Sequence, residues 1–290
     1  MNTALIQDRL RQYWLLARFD KPIGIYILLW PTLWALWIAG QGRPDPLAVA
    51  VFCAGVVLMR AAGCVINDYA DKDFDPHVAR TQHRPIAAGL VKPKEALALF
   101  AGLCLSAFGL VLLLNAYTIG LSFIAAFLAA SYPFMKRYTQ WPQAYLGMAF
   151  GFAVPMAFAA LTERIPVVAW ILYLAVMLWA LVYDTMYAMV DIEDDRKIGV
   201  KSTAILFGDR VREITAALQI VILGLLIIVG RLSGLAWPYY LGLIAAAGLS
   251  LYQQQLIRHY HKPDCFKAFL NNHWFGLAVF IGIAAAYALG

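Results

Sequence analysis

Asn67-Asp68-Tyr69-Ala70-Asp71-Lys72-Asp73-Phe74-Asp75 sets four aspartates where an apolar run, about Leu47 to Ile66, gives out. A second acidic cluster, Asp184 to Asp195, ends another apolar run in the same way. Carboxylates at the ends of membrane-length helices are costly to desolvate, so two such clusters call for a ligand.

Everything around these motifs reads as membrane protein. The 290 residues are 62% hydrophobic and 14% charged, with a mean hydropathy of +0.69. That is too apolar for a soluble domain of this length. The net charge of +6 does not point to nucleic acid, because the basic residues fall in short loops between apolar runs. Cys53, Cys64 and Cys104 lie inside apolar runs and Cys265 in a basic loop, so neither a disulfide framework nor a zinc site is expected.

Outward from the first motif, the expected fold is all-α and polytopic, a single transmembrane domain over residues 1–290. Residues 1–22 read as an amphipathic interfacial segment, with Arg9, Arg11 and Arg18 among Leu5, Leu10, Trp14 and Leu15. No cleavable signal is expected there. Nine spans follow at about Ile23–Ala39, Leu47–Ile66, Ala96–Leu114, Tyr117–Tyr132, Ala144–Leu161, Val167–Val190, Ile214–Val229, Trp237–Leu256 and Phe275–Leu289. Residues 71–94 and 191–212 are expected to form cap loops. If the N-terminus and both acidic motifs share one side, the opposite side carries only Arg43, Arg164 and Arg231. That asymmetry makes the motif side and the N-terminus cytoplasmic, with the C-terminus across the membrane. Only Arg60 is expected within a span. The pattern of apolar helix, Asp cluster and basic loop occurs twice, as a repeated arrangement.

At about 100° per residue, Asn67, Asp71 and Asp75 fall within about 80° of arc and Asp73 points away. Asp184, Asp191 and Asp195 fall within about 40°, with Glu193 opposite. Converging carboxylates repel one another, and a divalent cation relieves this; oxygen ligands suit Mg²⁺, which bridges a few carboxylates to phosphates. Arg80, Arg84, Lys136, Arg137 and Lys201 are on the same side and suit a departing diphosphate. An EF-hand loop fits poorly, since Pro76 and Gln82 stand where Gly and Glu are needed. A solvated acidic loop explains one motif more readily than two with matching faces. A cation-coupled transporter stays open, although acids at helix ends beside Arg and Lys favour an anionic ligand.

The motif Asn67-Asp68-x-x-Asp71-x-x-x-Asp75, with Asp191-x-x-x-Asp195, resembles the paired signatures of the UbiA-type intramembrane prenyltransferases. Asp20-Lys21-Pro22-Ile23-Gly24, Trp30-Pro31-Thr32, Arg80-Thr-x-x-Arg84-Pro85, Tyr132-Pro133-Phe134-Met135-Lys136-Arg137, Tyr183-Asp184-Thr185, Tyr187-Ala188-Met189 and Lys201-Ser202-Thr203-Ala204 are similar to its bacterial 4-hydroxybenzoate polyprenyltransferase branch. The likeness covers essentially the whole chain. It implies nine helices around a central cavity, Mg²⁺, a polyprenyl diphosphate donor and 4-hydroxybenzoate as acceptor, in ubiquinone biosynthesis in the bacterial inner membrane. Naphthoate, homogentisate or a porphyrin are the alternative acceptors. It implies that Asn67, Asp71 and Asp75 hold one Mg²⁺ and Asp191 and Asp195 the other, the four aspartates being catalytic. Arg84, Tyr132, Lys136 and Lys201 would grip the diphosphate. The acceptor carboxylate needs a cation, Arg137 first and Arg60 second. Asp191 is a candidate to accept the ring proton. Met186, where a polar residue is expected, and Ile192-Glu193, where a basic-acidic pair is expected, depart from the branch.

Overall fold

The computed structural model describes residues 3–77 and 81–289, and among them all regular structure is helical. Arg80 lies outside the described residues. In chain order the helices are α1 (Thr3–Leu16), α2 (Ile23–Ala39), α3 (Pro46–Ala70), α4 (Pro93–Val111), α5 (Ala116–Ser131), α6 (Met135–Tyr138), α7 (Pro142–Gly151), α8 (Ala153–Thr162), α9 (Val167–Ala188), α10 (Ile192–Ile198), α11 (Thr203–Phe207), α12 (Val211–Leu232), α13 (Trp237–Leu256) and α14 (Lys262–Leu289).

Local chemistry sets these boundaries. The Asp45 side chain caps α3 through Ala48 N–H, with Pro46 in the first turn, where its missing donor costs nothing. Asn115 does the same for α5 through Thr118. The expected fifth span breaks at Phe152 into α7 and α8. Pro155 explains the break, because it lacks the N–H that would bond the Gly151 carbonyl.

Among the described residues seven segments are long and apolar enough to cross a membrane, including Pro46–Ala70, Val167–Ala188 and Lys262–Leu289. Helix α2 is apolar but has 17 residues. Helix α13, expected as a span, falls outside that set; it ends in Gln253-Gln254-Gln255. Its polar end is satisfied inside the bundle, where Gln219 donates to Gln253 at 2.8 Å and Gln253 to Asn271 at 3.0 Å. Such interhelical bonds contribute about 0.6–2 kcal/mol each.

The core centres on α9. Trp179 packs between Trp34 of α2, tilted, and Phe275 of α14, stacked. Both indoles are satisfied, Trp34 donating to Gly276 O and Trp179 to Asn272 Oδ1, each at 2.9 Å. Gly147 lets α7 approach α9, for a Cβ there would lie 2.5 Å from the Met177 carbonyl.

Two segments differ from expectation. Helix α14 starts at Lys262 and not near Phe275, adding 13 residues. Its polar first turns hide it from a hydropathy reading, yet Cys265, Ala268 and Phe269 are buried. The N-terminal segment is helical as expected, with Ile6, Leu10 and Trp14 forming an exposed apolar stripe four residues apart. Its C-terminal end is docked: Leu16 joins a small second core with Val65, Ile86, Val91 and Ala96. That core ties α1 to α3, α4 and the loop after the first motif.

Candidate active site

Helix α3 ends at Ala70, so the acidic motif straddles a helix end: Asp71 caps the helix and Asp75 opens a 3-10 turn. The unwinding keeps Asp71 and Asp75 buried and leaves Asp73 exposed beside Lys72. The second motif is likewise not one continuous helix. Helix α9 stops at Ala188, and α10 restarts after Asp191 with Glu193, Asp194 and Asp195 in its first turn, where acids favour the helix dipole.

Both motifs face one cavity of about 790 Å³. Asn67, Asp68, Asp71 and Asp75 line one wall, and Asp184, Asp191 and Asp195 another. Arg84, Tyr132, Lys136 and Lys201 line it as well. The expected metal-binding and diphosphate-binding residues are thus brought together.

Within the cavity the cations lie on the carboxylates. Arg84 Nη1 is 2.8 Å from Asp75 Oδ2, 3.1 Å from Asp68 Oδ1 and 4.0 Å from Asp71 Oδ2. Lys136 Nζ contacts Asp71 Oδ1, and Asn67 Nδ2 donates to Asp71 Oδ2 at 3.2 Å. Burial pushes the Asp75 carboxyl up from its ordinary value; Asp71 and Asp68 add to this and Arg84 opposes it. Lys201 donates from Nζ to the Tyr138 carbonyl at 3.3 Å and from its backbone to the Lys136 carbonyl at 3.2 Å, pinning the second cap to α6.

The donor chemistry fits Mg²⁺. Five side chains with hard oxygen ligands, Asn67, Asp71, Asp75, Asp191 and Asp195, look into the same space. Among the described residues no three His, Cys, Asp or Glu side chains gather as a ready-made metal cage. Mg²⁺ needs none, since it usually takes one or two carboxylates and completes its shell with phosphate and water.

The two arginines expected at the acceptor behave differently. Arg137 does not line the cavity: it donates to the Ala70 carbonyl and lies 5.2 Å from the Phe74 ring and 5.9 Å from Phe134. The reason is helical offset, for Lys136 and Arg137 are consecutive on α6 and point about 100° apart. Arg60 does line the cavity, is buried, and donates to the carbonyls of Ala17, Arg18 and Lys21 at 2.8–3.0 Å.

Arg18 and Asp68, both in the wall, carried no site role in the sequence expectations. Asp68, 1% exposed, accepts from Arg18 Nη2 at 2.6 Å and also faces Arg84. Burial works against the Arg18 guanidinium, but Asp68, Cys64 and Tyr187 together outweigh burial and raise its pKa. Arg18 also has φ +55°, a left-handed conformation that costs a non-glycine residue about 1–3 kcal/mol. The only signal was proximity to Asp20-Lys21-Pro22; the link from residue 18 to residue 68 is a tertiary contact.

Beside the polar cavity lies an apolar one of about 170 Å³, walled by α3, α4, α5, α7 and α8. The two share Gly63, Tyr132 and Phe150. Tyr132 donates to the Gly63 carbonyl at 3.3 Å and meets Phe150 edge-on.

Residues 28–286 match the UbiA prenyltransferase family. Over 282 residues the chain is 68% identical to the 4-hydroxybenzoate octaprenyltransferase of Methylococcus capsulatus, covering 97% of each sequence. The apo structure of a UbiA homolog from Aeropyrum pernix K1 superposes with a TM-score of 0.77 at 27% identity, covering 90% of this chain and 97% of that one. A UbiA homolog from Archaeoglobus fulgidus, solved with GPP and Mg²⁺, shares the fold, with a TM-score of 0.71 at 18% identity over 95% of this chain and 99% of that one. The chain belongs to the UbiA prenyltransferase family, as a multi-pass membrane protein.

Proposed function

We propose that this chain transfers a polyprenyl group from polyprenyl diphosphate to the ring carbon ortho to the hydroxyl of 4-hydroxybenzoate, a membrane step of ubiquinone biosynthesis. The observation that carries this is the pair of adjoining cavities. A polar chamber with two Asp motifs and matching cations shares Gly63, Tyr132 and Phe150 as a common wall with an apolar chamber. An amphiphile with a diphosphate head and a hydrocarbon tail fits both at once.

Asn67, Asp71 and Asp75 would hold one Mg²⁺, and Asp191 and Asp195 a second. Bound Mg²⁺ supplies charge neutralisation of the diphosphate, which makes it a leaving group. Arg84, Lys136 and Lys201 bind phosphate oxygens, and the Tyr132 hydroxyl is placed at the head of the apolar chamber. For Arg84 and Lys136 this is an exchange of carboxylate for phosphate partners. The allylic C–O bond breaks with its electron pair on oxygen, and preorganised cations offset that charge. Tyr132, Phe150, Tyr183 and Tyr187 line the polar cavity and offer ring faces to the allylic cation while excluding water. The ortho carbon bonds to that cation, and Asp191 accepts the displaced ring proton. Arg60 is the acceptor anchor in this scheme, because it lines the cavity and Arg137 does not.

The Lys and Arg asymmetry supports nine spans with the active site and N-terminus cytoplasmic and the C-terminus opposite. Residues 71–77, 81–94 and 191–212 would cap the cavity on that side.

An acceptor panel tests the assignment. Membranes with this protein are given one polyprenyl diphosphate and, in turn, labelled 4-hydroxybenzoate, a dihydroxynaphthoate, homogentisate and a haem precursor porphyrin. Product with 4-hydroxybenzoate alone is expected; preference for another acceptor would move the chain to a different branch.

A further inference from the structure

We infer that Arg18 is a further diphosphate-binding residue, set in place by Asp68, so that the N-terminal segment supplies part of the donor site. The inference rests on the donor assignment above and extends it to a residue outside both acidic motifs.

Three independent features converge on Arg18. It lines the polar cavity, with a side chain 21% exposed. Its backbone is left-handed, and a non-glycine residue keeps that geometry only where its surroundings over-determine it. They do so here from both ends. Arg60 grips the carbonyls of Ala17, Arg18 and Lys21, while Asp68 accepts from Nη2. A surface-anchoring arginine needs none of this.

The charge arrangement gives it a purpose. Asp68 is a single buried carboxylate shared by two guanidinium groups, Arg18 at 2.6 Å and Arg84 at 3.1 Å. Arg84 is shared in turn with Asp75 at 2.8 Å, so when Arg84 turns from that carboxylate to an incoming anion, Asp68 keeps both guanidinium groups at one wall. Asp68 engages one terminal nitrogen of Arg18, and a guanidinium carries five donors in a planar fork suited to phosphate oxygens. Asp68 is therefore a positioning residue that aims two forks at one anion, and Arg18 binds that anion.

The test is calorimetric binding of inorganic diphosphate, in Mg²⁺ buffer, to the purified full chain in detergent. Arg18→Gln is expected to weaken binding about tenfold or more, the scale of one charge-assisted contact. Asp68→Asn weakens it too, and the double variant is no worse than the weaker-binding single, because the two act as one unit. Arg18→Lys gives an intermediate loss. In turnover assays the donor KM rises while the acceptor KM holds, a split that loss of packing would not produce. Unchanged diphosphate affinity in folded Arg18→Gln overturns the inference; should that variant not fold, unchanged affinity in Arg18→Lys does so. A wild-type chain that binds no diphosphate refutes the donor assignment itself, an outcome distinct from a silent Arg18.

Discussion

Arg84 Nη1 lies 2.8 Å from Asp75 Oδ2, so a cation suited to the diphosphate rests on a carboxylate suited to the metal. The two would part when substrate and Mg²⁺ enter together. Mg²⁺ without diphosphate must displace Arg84 and Lys136 with nothing to receive them. Calorimetry is therefore expected to show Mg²⁺ binding at least tenfold tighter with inorganic diphosphate present. Equal affinity in its absence would contradict the exchange.

Carboxylates of the first motif divide by exposure. Asp71→Ala and Asp75→Ala are expected to lower kcat by about 10²–10³ or more, the cost of losing one preorganised electrostatic partner. Asp73 is exposed, and Glu193 pairs with Lys262 at 2.7 Å outside the cavity lining. Asp73→Ala and Glu193→Ala should leave turnover within about twofold, since exposed ion pairs contribute little. A collapse of activity in Asp73→Ala would refute the division.

Asp75 also predicts a pH dependence in the metal-free protein. Burial raises its folded-state pKa above the ordinary aspartate value, so the folded state binds the proton more readily than the unfolded chain. This group's contribution to stability is complete below the ordinary value and declines as pH rises through the raised one. Thermal midpoints measured across that range in EDTA should fall less in Asp75→Asn than in wild type. Parallel curves would remove Asp75 as a source of the slope.

The wall shared by the two cavities predicts a size limit. A Cβ at Gly63 would sit 3.6 Å from the Tyr132 hydroxyl, ordinary contact, so Gly63→Ala should keep activity. Gly63→Leu adds bulk at that shared wall, and loss of long-chain donors before short ones is expected in a donor-length series. Uniform activity across lengths would mean the chain takes another route.

Arg137→Ala should lower stability by about 1 kcal/mol through the lost Ala70 carbonyl bond and ring contacts, leaving the acceptor KM in place. A raised acceptor KM with unchanged stability would return Arg137 to the site.

Much of this organisation was legible because it is written in local sequence. Apolar runs mark the long helices, and the two acidic clusters mark where α3 and α9 end. Arg137 was expected at the acceptor on residue type, whereas its position one step beyond Lys136 sets it outside the cavity lining. The pairing of Arg18 with Asp68 was hidden for the opposite reason: fifty residues separate them, and only the folded chain makes them partners. The early start of α14 was masked by Lys262, Asp264 and Lys267, whose polarity conceals a helix with a buried apolar face.

The most direct test of the central claim is prenyl transfer in washed membranes supplied with a polyprenyl diphosphate and labelled 4-hydroxybenzoate, with Mg²⁺ or with EDTA. A lipid-soluble labelled product that forms with Mg²⁺ and vanishes with EDTA is the predicted result. Intact protein that yields no such product with Mg²⁺ present, or yields it equally in EDTA, would contradict the account.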